Sequence, residues 1–157
     1  MPGSRPEAKA VLEATFRRWL EDPESDVVHV EQVNESGMEP STQRWAVRMR
    51  QTVRDATTVW WEIGQRSLRC EAYVLPAPER DPSEVYRQCL IRNATAWRVH
   101  FVVDREGAVV LRGRLPLERV TTEELDLVLG EIYETIEVSF RPMLAAWLAG
   151  GEREKSP

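Results

Sequence analysis

Lysine is nearly missing from this 157-residue chain: only Lys9 and Lys155 occur, so arginine carries almost all of the positive charge. Cysteine is scarce too. Cys70 and Cys89 have no metal-ligand spacing, and two thiols make no disulfide framework. Histidine is limited to His29 and His100, which excludes a histidine-rich metal centre. No apolar run approaches the ~18–20 residues that span a bilayer, and Met1 to Arg18 has no apolar signal-peptide core. No glycine-rich loop follows a strand in a phosphate-binding pattern, and no repeat or low-complexity tract is present. These absences lead to the expectation of a soluble cytoplasmic protein with reduced thiols and no cofactor.

What remains is 42% hydrophobic and 30% charged, with 26 acidic against 21 basic side chains and six tryptophans. The length suits one domain, expected over 6–147 with flexible tails at 1–5 and 148–157. A net charge of −5 gives no overall electrostatic reason to bind nucleic acid or an acidic membrane. Arginine also pairs carboxylates and stacks on aromatic rings in ways lysine cannot.

Periodicity supplies the elements. A first helix is predicted from about Pro6 to Glu21, with Ser4 and Glu7 at capping-box spacing and Leu12, Phe16, Trp19 and Leu20 as its apolar stripe. Val27 to Val33 is a candidate short edge strand, and Glu35 to Thr42 reads as loop. In Arg44–Val53 the odd positions Trp45, Val47, Met49 and Val53 are apolar while Arg44, Arg48 and Arg50 alternate with them. Thr57–Ile63 and Leu68–Val74 repeat that alternation, and the short links favour an antiparallel meander.

Asp81 is placed as N-cap of a second helix, with Pro82 at its first position and Val85, Tyr86, Cys89 and Leu90 on its apolar side. Strands at Trp97–Val103 and Ala108–Leu115 follow, joined by a turn at Asp104–Gly107. A last helix opens at Thr121 with Glu124, and Pro142 is expected to kink or break it. The order α-β-β-β-α-β-β-α describes an α+β domain, an antiparallel sheet of about five strands with helices packed on it.

Catalytic groups do not converge. His100 alternates with Trp97, Val99 and Phe101 as a solvated strand residue, and the acid-base pairing to consider is His100 with Asp104 or a neighbouring acid. Cys70 and Cys89 fall in apolar registers and read as small buried hydrophobes. Glu123, Glu124, Glu131, Glu134 and Glu137 read as charged helix faces. No enzyme is expected.

The polar side of the meander carries Arg48, Arg50, Trp60, Glu62, Arg69, Glu71 and Tyr73. It is either a solvated face laced by ion pairs or a binding surface, since Trp, Tyr and Arg are enriched at interaction hot spots. Five tryptophans, Trp19, Trp45, Trp61, Trp97 and Trp147, fall on core-facing stripes; Trp60 alone falls on the polar register.

Several phrases carry a family likeness: Thr57-Thr58-Val59-Trp60-Trp61, Tyr73-Val74-Leu75-Pro76-Ala77-Pro78-Glu79, His100-Phe101, Leu111-Arg112-Gly113-Arg114-Leu115-Pro116-Leu117, Tyr133, and Phe140-Arg141-Pro142. On these the chain resembles the YbjN-type family of bacterial sensory-transduction regulators over roughly residues 6 to 147, with a type III secretion chaperone-like fold. The resemblance implies a small acidic homodimer that holds an extended client segment without ATP, and it brings no catalytic residues. The expectation is therefore a non-enzymatic, chaperone-like or regulatory protein that binds an unidentified protein or peptide client. Arg48, Arg50, Trp60, Glu62, Arg69 and Tyr73 are the candidate binding residues, with an exposed strand edge for backbone pairing. Val85, Tyr86 and Cys89 are the candidate dimer contact. Nucleic acid and membrane are not expected partners. The alternative is a regulator sensing a small molecule in a pocket between helix and sheet.

Overall fold

The computed structural model describes residues 3–34 and 42–153, the last three of these by backbone alone. The loop assigned to Glu35–Thr42 lies, except for Thr42, outside the described residues, as do 1–2 and 154–157.

Ten elements follow one another: α1 (Arg5–Glu21), β1 (Val27–Val33), β2 (Gln43–Arg50), β3 (Ala56–Ile63), β4 (Ser67–Leu75), α2 (Ser83–Asn93), β5 (Val99–Val103), β6 (Val109–Pro116), a 3-10 turn (Leu117–Arg119) and α3 (Thr122–Arg153). The six strands form one antiparallel sheet in the order β1-β2-β3-β4-β6-β5. The α+β class is as the sequence indicates, with one strand more than the five counted. That strand is β1, whose pattern is obscured by a register shift between Val27 and His29.

Alternation sorts each strand between two faces. Trp45, Val47 and Met49 of β2, Val59, Trp61 and Ile63 of β3, and Leu68, Cys70 and Ala72 of β4 are buried under the helices. Phe16 packs 5.5 Å from Trp19, 6.2 Å from Trp45 and 5.8 Å from Trp61, measured between ring centroids. Leu12, Phe16 and Trp19 seat α1, Val85 and Cys89 seat α2, and Leu125, Val128, Ile132, Ile136 and Met143 seat α3.

The caps act as the sequence suggests at two helices. Ser4 Oγ accepts from Glu7 N at 3.3 Å, and Thr121 Oγ1 accepts from Glu124 N at 3.1 Å. At α2 the start is one residue later: Asp81 Oδ1 accepts from Ser83 N and Oγ, and Pro82 sits in the capping position. Gly107, at φ 87°, closes the β5–β6 turn by donating to Asp104 O at 3.0 Å.

Four expectations are corrected. Pro142 does not break α3, which is continuous from Thr122 to Arg153. Proline deprives the carbonyl four residues earlier of its donor, and Arg92 Nη2 from α2 donates to that Val138 oxygen at 3.3 Å. The helix thereby extends through 148–153, placed by the sequence in a tail; Gly150 is needed there, because a Cβ would lie 2.7 Å from Asp81 O. Trp97 is not core but 80% exposed, since β5 begins only at Val99 and the strand alternation does not reach back to it. Leu20 and Leu90, at 44% and 72% exposure, likewise lie off the buried stripes.

Candidate functional site

All three helices pack on one face of the sheet, and among the described residues no helix covers the opposite face. Register places its side chains in rows across the strands. One row holds Val33, Arg44, Glu62, Arg69 and Arg114, and the next holds Glu31, Ala46, Trp60, Glu71, Arg112 and His100. Arg48 stands opposite His29 and Thr58, Arg50 opposite Ala56, and Tyr73 opposite Val110.

Trp60 is the centre of a shallow cleft of about 230 Å³ lined by Arg44, Glu62, Arg69, Glu71 and Arg112. The Arg44 guanidinium lies over the Trp60 ring, 4.0 Å from its centroid, a cation–π contact. Arg69 pairs with Glu62 and Arg112 with Glu71, each at 2.9 Å. These pairs are solvent-exposed, and each contributes ~0.2–1 kcal/mol. They hold the guanidiniums in place more than they stabilise the fold.

The structure thus brings Trp60, Glu62 and Arg69 into one cleft, puts Arg48 and Tyr73 on the same open face, and leaves Arg50 at its far end. The sequence missed Arg44, Arg112 and Arg114 as members. The alternation of Arg112 and Arg114 was visible. That β6, rather than β5, lies beside β4 depends on a crossover through α2 which no local pattern reveals.

The proposed dimer residues do not form a surface. Val85 is fully buried and Cys89 is 5% exposed, both pressed onto the core. Tyr86 packs against the core and donates its hydroxyl to Gly107 O at 3.3 Å. The apolar side chains that α2 does show to solvent are Leu90 and Ile91.

The catalytic pairing also fails. Asp104 spends its carboxylate on Glu106 N and Ala108 N, both at 2.9 Å, while His100 lies four residues up the strand, ~13 Å away at 3.3 Å per residue. Burial pushes the Cys70 thiol up to about 12 and the Cys89 thiol up to about 11, which keeps both protonated at neutral pH. No group of three metal-ligating side chains occurs among the described residues. Between α2, β5 and α3 a cavity of about 160 Å³ is lined by Asn93, Phe101, Leu111, Glu131, Thr135 and others. It is smaller than the ~300–1,000 Å³ typical of small-molecule sites.

Two glutamates assigned to charged helix faces are instead structural clamps. Glu131 accepts from the backbone N–H groups of Trp97, Arg98 and Val99 at 3.0, 2.7 and 3.0 Å. Glu137 takes the β2–β3 turn: Gln51 Nε2 at 2.9 Å, Thr52 N at 3.1 Å, Val53 N at 3.3 Å and the Thr52 hydroxyl. Asn93 forms both bonds a neighbouring strand would, donating to Phe101 O at 3.0 Å and accepting from Phe101 N at 2.8 Å. With Glu131 on Val99, it closes the outer edge of β5. At the start of β1, Ser25 Oγ accepts from Val27 N at 3.1 Å, and no side-chain bond of the Asn93 kind lies along the rest of that edge among the described residues.

The family model for YbjN, described as "Putative bacterial sensory transduction regulator", matches residues 16–145. The chain belongs to the YbjN family. Its relatives include an uncharacterized protein of Mycobacterium leprae (strain TN), 34% identical over 69% of this chain and 59% of that protein. Another, from Mycobacterium tuberculosis (strain ATCC 25618 / H37Rv), is 34% identical over 52% of this chain and 45% of its own length. The YbjN chain described here therefore spans about half the length of these curated relatives. Among solved structures, the ExsC–ExsE complex is similar with a TM-score of 0.45 and 15% identity, covering 90% of this chain and 98% of that one. No helix among the described residues is long and apolar enough to cross a membrane.

Proposed function

We propose that this chain is a non-enzymatic, chaperone-like or regulatory binding protein that holds an extended segment of a partner protein on the open face of its sheet. The observation that carries this reading is the Trp60 cleft. A large aromatic ring lies on the helix-free face, capped by Arg44 and ringed by ion-paired arginines, and these are the residue types that dominate interaction hot spots. Tyr73, Arg48 and Arg50 extend the surface along the strands. Of the two sheet edges, β5 is closed by Asn93 and Glu131, so a segment pairing through its backbone would add to β1. Leu90 and Ile91 are the part of α2 available to a homodimer contact.

The test is affinity capture from native lysate with the wild-type chain and a Trp60→Ala/Tyr73→Ala variant, read by mass spectrometry. Both side chains are partly solvent-exposed, so the variant keeps its core. A partner retained by wild type and lost by the variant supports the face. Equal recovery by both contradicts it.

A further inference from the structure

Resting on that reading, we propose that the segment received by the open sheet face is acidic, an extended stretch of a partner protein whose carboxylates meet the arginines of β2, β4 and β6. The face is charged against the rest of the molecule. Among the described residues six arginines, Arg44, Arg48, Arg50, Arg69, Arg112 and Arg114, stand there against three glutamates, Glu31, Glu62 and Glu71. These strand residues have three positive charges in excess, in a chain whose net charge is −5. Such polarity steers and orients an anionic partner.

One row is decisive. Arg44, Glu62, Arg69 and Arg114 follow one another across β2, β3, β4 and β6, and Glu62 is paired with Arg69. Arg69 and Arg114 face each other directly on neighbouring strands, and like charges so placed destabilise a sheet. Glu62 takes up Arg69, while Arg114 has no ion-pair partner among the described residues, and neither has Arg48. A carboxylate set between Arg69 and Arg114 would relieve that repulsion and gain bidentate hydrogen bonds.

The dimensions fit an extended chain. At ~4.8 Å per strand, Arg44 and Arg114 lie ~14 Å apart, the reach of positions i and i+4 of an extended segment at ~3.4 Å per residue. Trp60 stands beside this row, two residues from Glu62 along β3, and its ring under the Arg44 guanidinium gives an intervening side chain an aromatic neighbour. The three glutamates break the positive field at intervals, which suits carboxylates alternating with neutral residues rather than the unbroken charge of a nucleic-acid backbone.

The experiment is fluorescence anisotropy on the full chain. Three labelled probes of about eleven residues are compared: Glu at alternate positions around a central Leu, the same with Lys for Glu, and the same with Ser for Glu. A short DNA duplex is the fourth. The expected result is binding of the acidic probe only, weakening as salt rises from about 50 to 300 mM. Arg69→Glu/Arg114→Glu and, separately, Arg48→Glu should weaken it about tenfold or more, while Arg87→Glu on α2 should leave it unchanged. Circular dichroism checks that each variant is folded. If the Ser or Lys probe binds as well, and Trp60→Ala abolishes that binding, the face stands and the acidic occupant is overturned. Tighter binding of the duplex overturns it as well. If Trp60→Ala changes the binding of no probe, the face itself is refuted, and this proposal with it.

Discussion

Replacing Glu137 by glutamine tests whether the open sheet face rests on a clamp from α3. The carboxylate receives Gln51 Nε2, Thr52 N, Val53 N and the Thr52 hydroxyl, so one side chain holds the whole β2–β3 turn against the helix. A hydrogen bond to a charged group contributes ~1.5–3 kcal/mol, but this carboxylate is only part-buried, and water can take over some of the donors. Glutamine keeps one acceptor and turns an NH₂ toward the donors of the other. The net loss should be about 1–3 kcal/mol, or roughly 3–10 °C in Tm for a chain of this size.

The pH dependence supplies a second check on the same clamp. Burial acts to raise the Glu137 pKa, and the hydrogen bonds from Thr52, Val53 and Gln51 outweigh it, holding the carboxyl below its ordinary 4.5. A carboxyl lowered on folding stabilises the native state above its unfolded value, and that stability is lost as pH falls through the folded value. Urea unfolding at pH 7 should therefore show the full gap between wild type and Glu137→Gln, and the gap should narrow below about pH 4.5. A gap under ~0.5 kcal/mol at pH 7, or one that widens in acid, would refute the reasoning.

Three further predictions concern packing and exposure. Gly113→Ala should cost about 1–3 kcal/mol in urea unfolding, because a Cβ there would lie 2.6 Å from Arg98 O and 3.0 Å from Cys70 Sγ; a neutral change would mean that β5 and β6 are further apart. Trp97→Ser should alter stability by less than ~0.5 kcal/mol, since the side chain is 80% exposed and Glu131 binds only its backbone; a loss above ~1.5 kcal/mol would place the ring in a contact not described above. An aromatic disulfide reagent at neutral pH should label neither Cys70 nor Cys89 rapidly in the native protein and both after denaturation, and rapid native labelling would contradict their burial.

Element type and the core were legible because they follow from local periodicity. Trp45, Val47, Met49, Val59, Trp61 and Ile63 all lie in the buried register that their alternation indicates. Errors arose where a distant partner decides the outcome. Arg92 rescues the Val138 carbonyl, Glu131 holds Trp97 outside the strand, and β6 crosses to β4, none of which is encoded within a few residues. The same reason explains the candidate site. Trp60 and Arg69 could be placed on one face from the meander alone, whereas Arg112 and Arg114 needed the strand order. On α2 the amphipathic side was legible, but its exposed edge, Leu90 and Ile91, was not separable from Val85 and Cys89 before the packing was known.

The central claim is that a partner segment docks on the sheet face at Trp60. Its most direct test is fluorine NMR of the chain labelled with 5-fluorotryptophan, each resonance assigned by single substitution, titrated with the acidic peptide. The two alternatives are well separated: Trp60 lies on the open sheet face, while Trp97 is exposed beside α3, next to Leu127 and Gly130. The account predicts that the Trp60 resonance shifts on titration while those of Trp97 and the buried Trp19, Trp45 and Trp61 stay in place. A shift at Trp97 with Trp60 unmoved would contradict it.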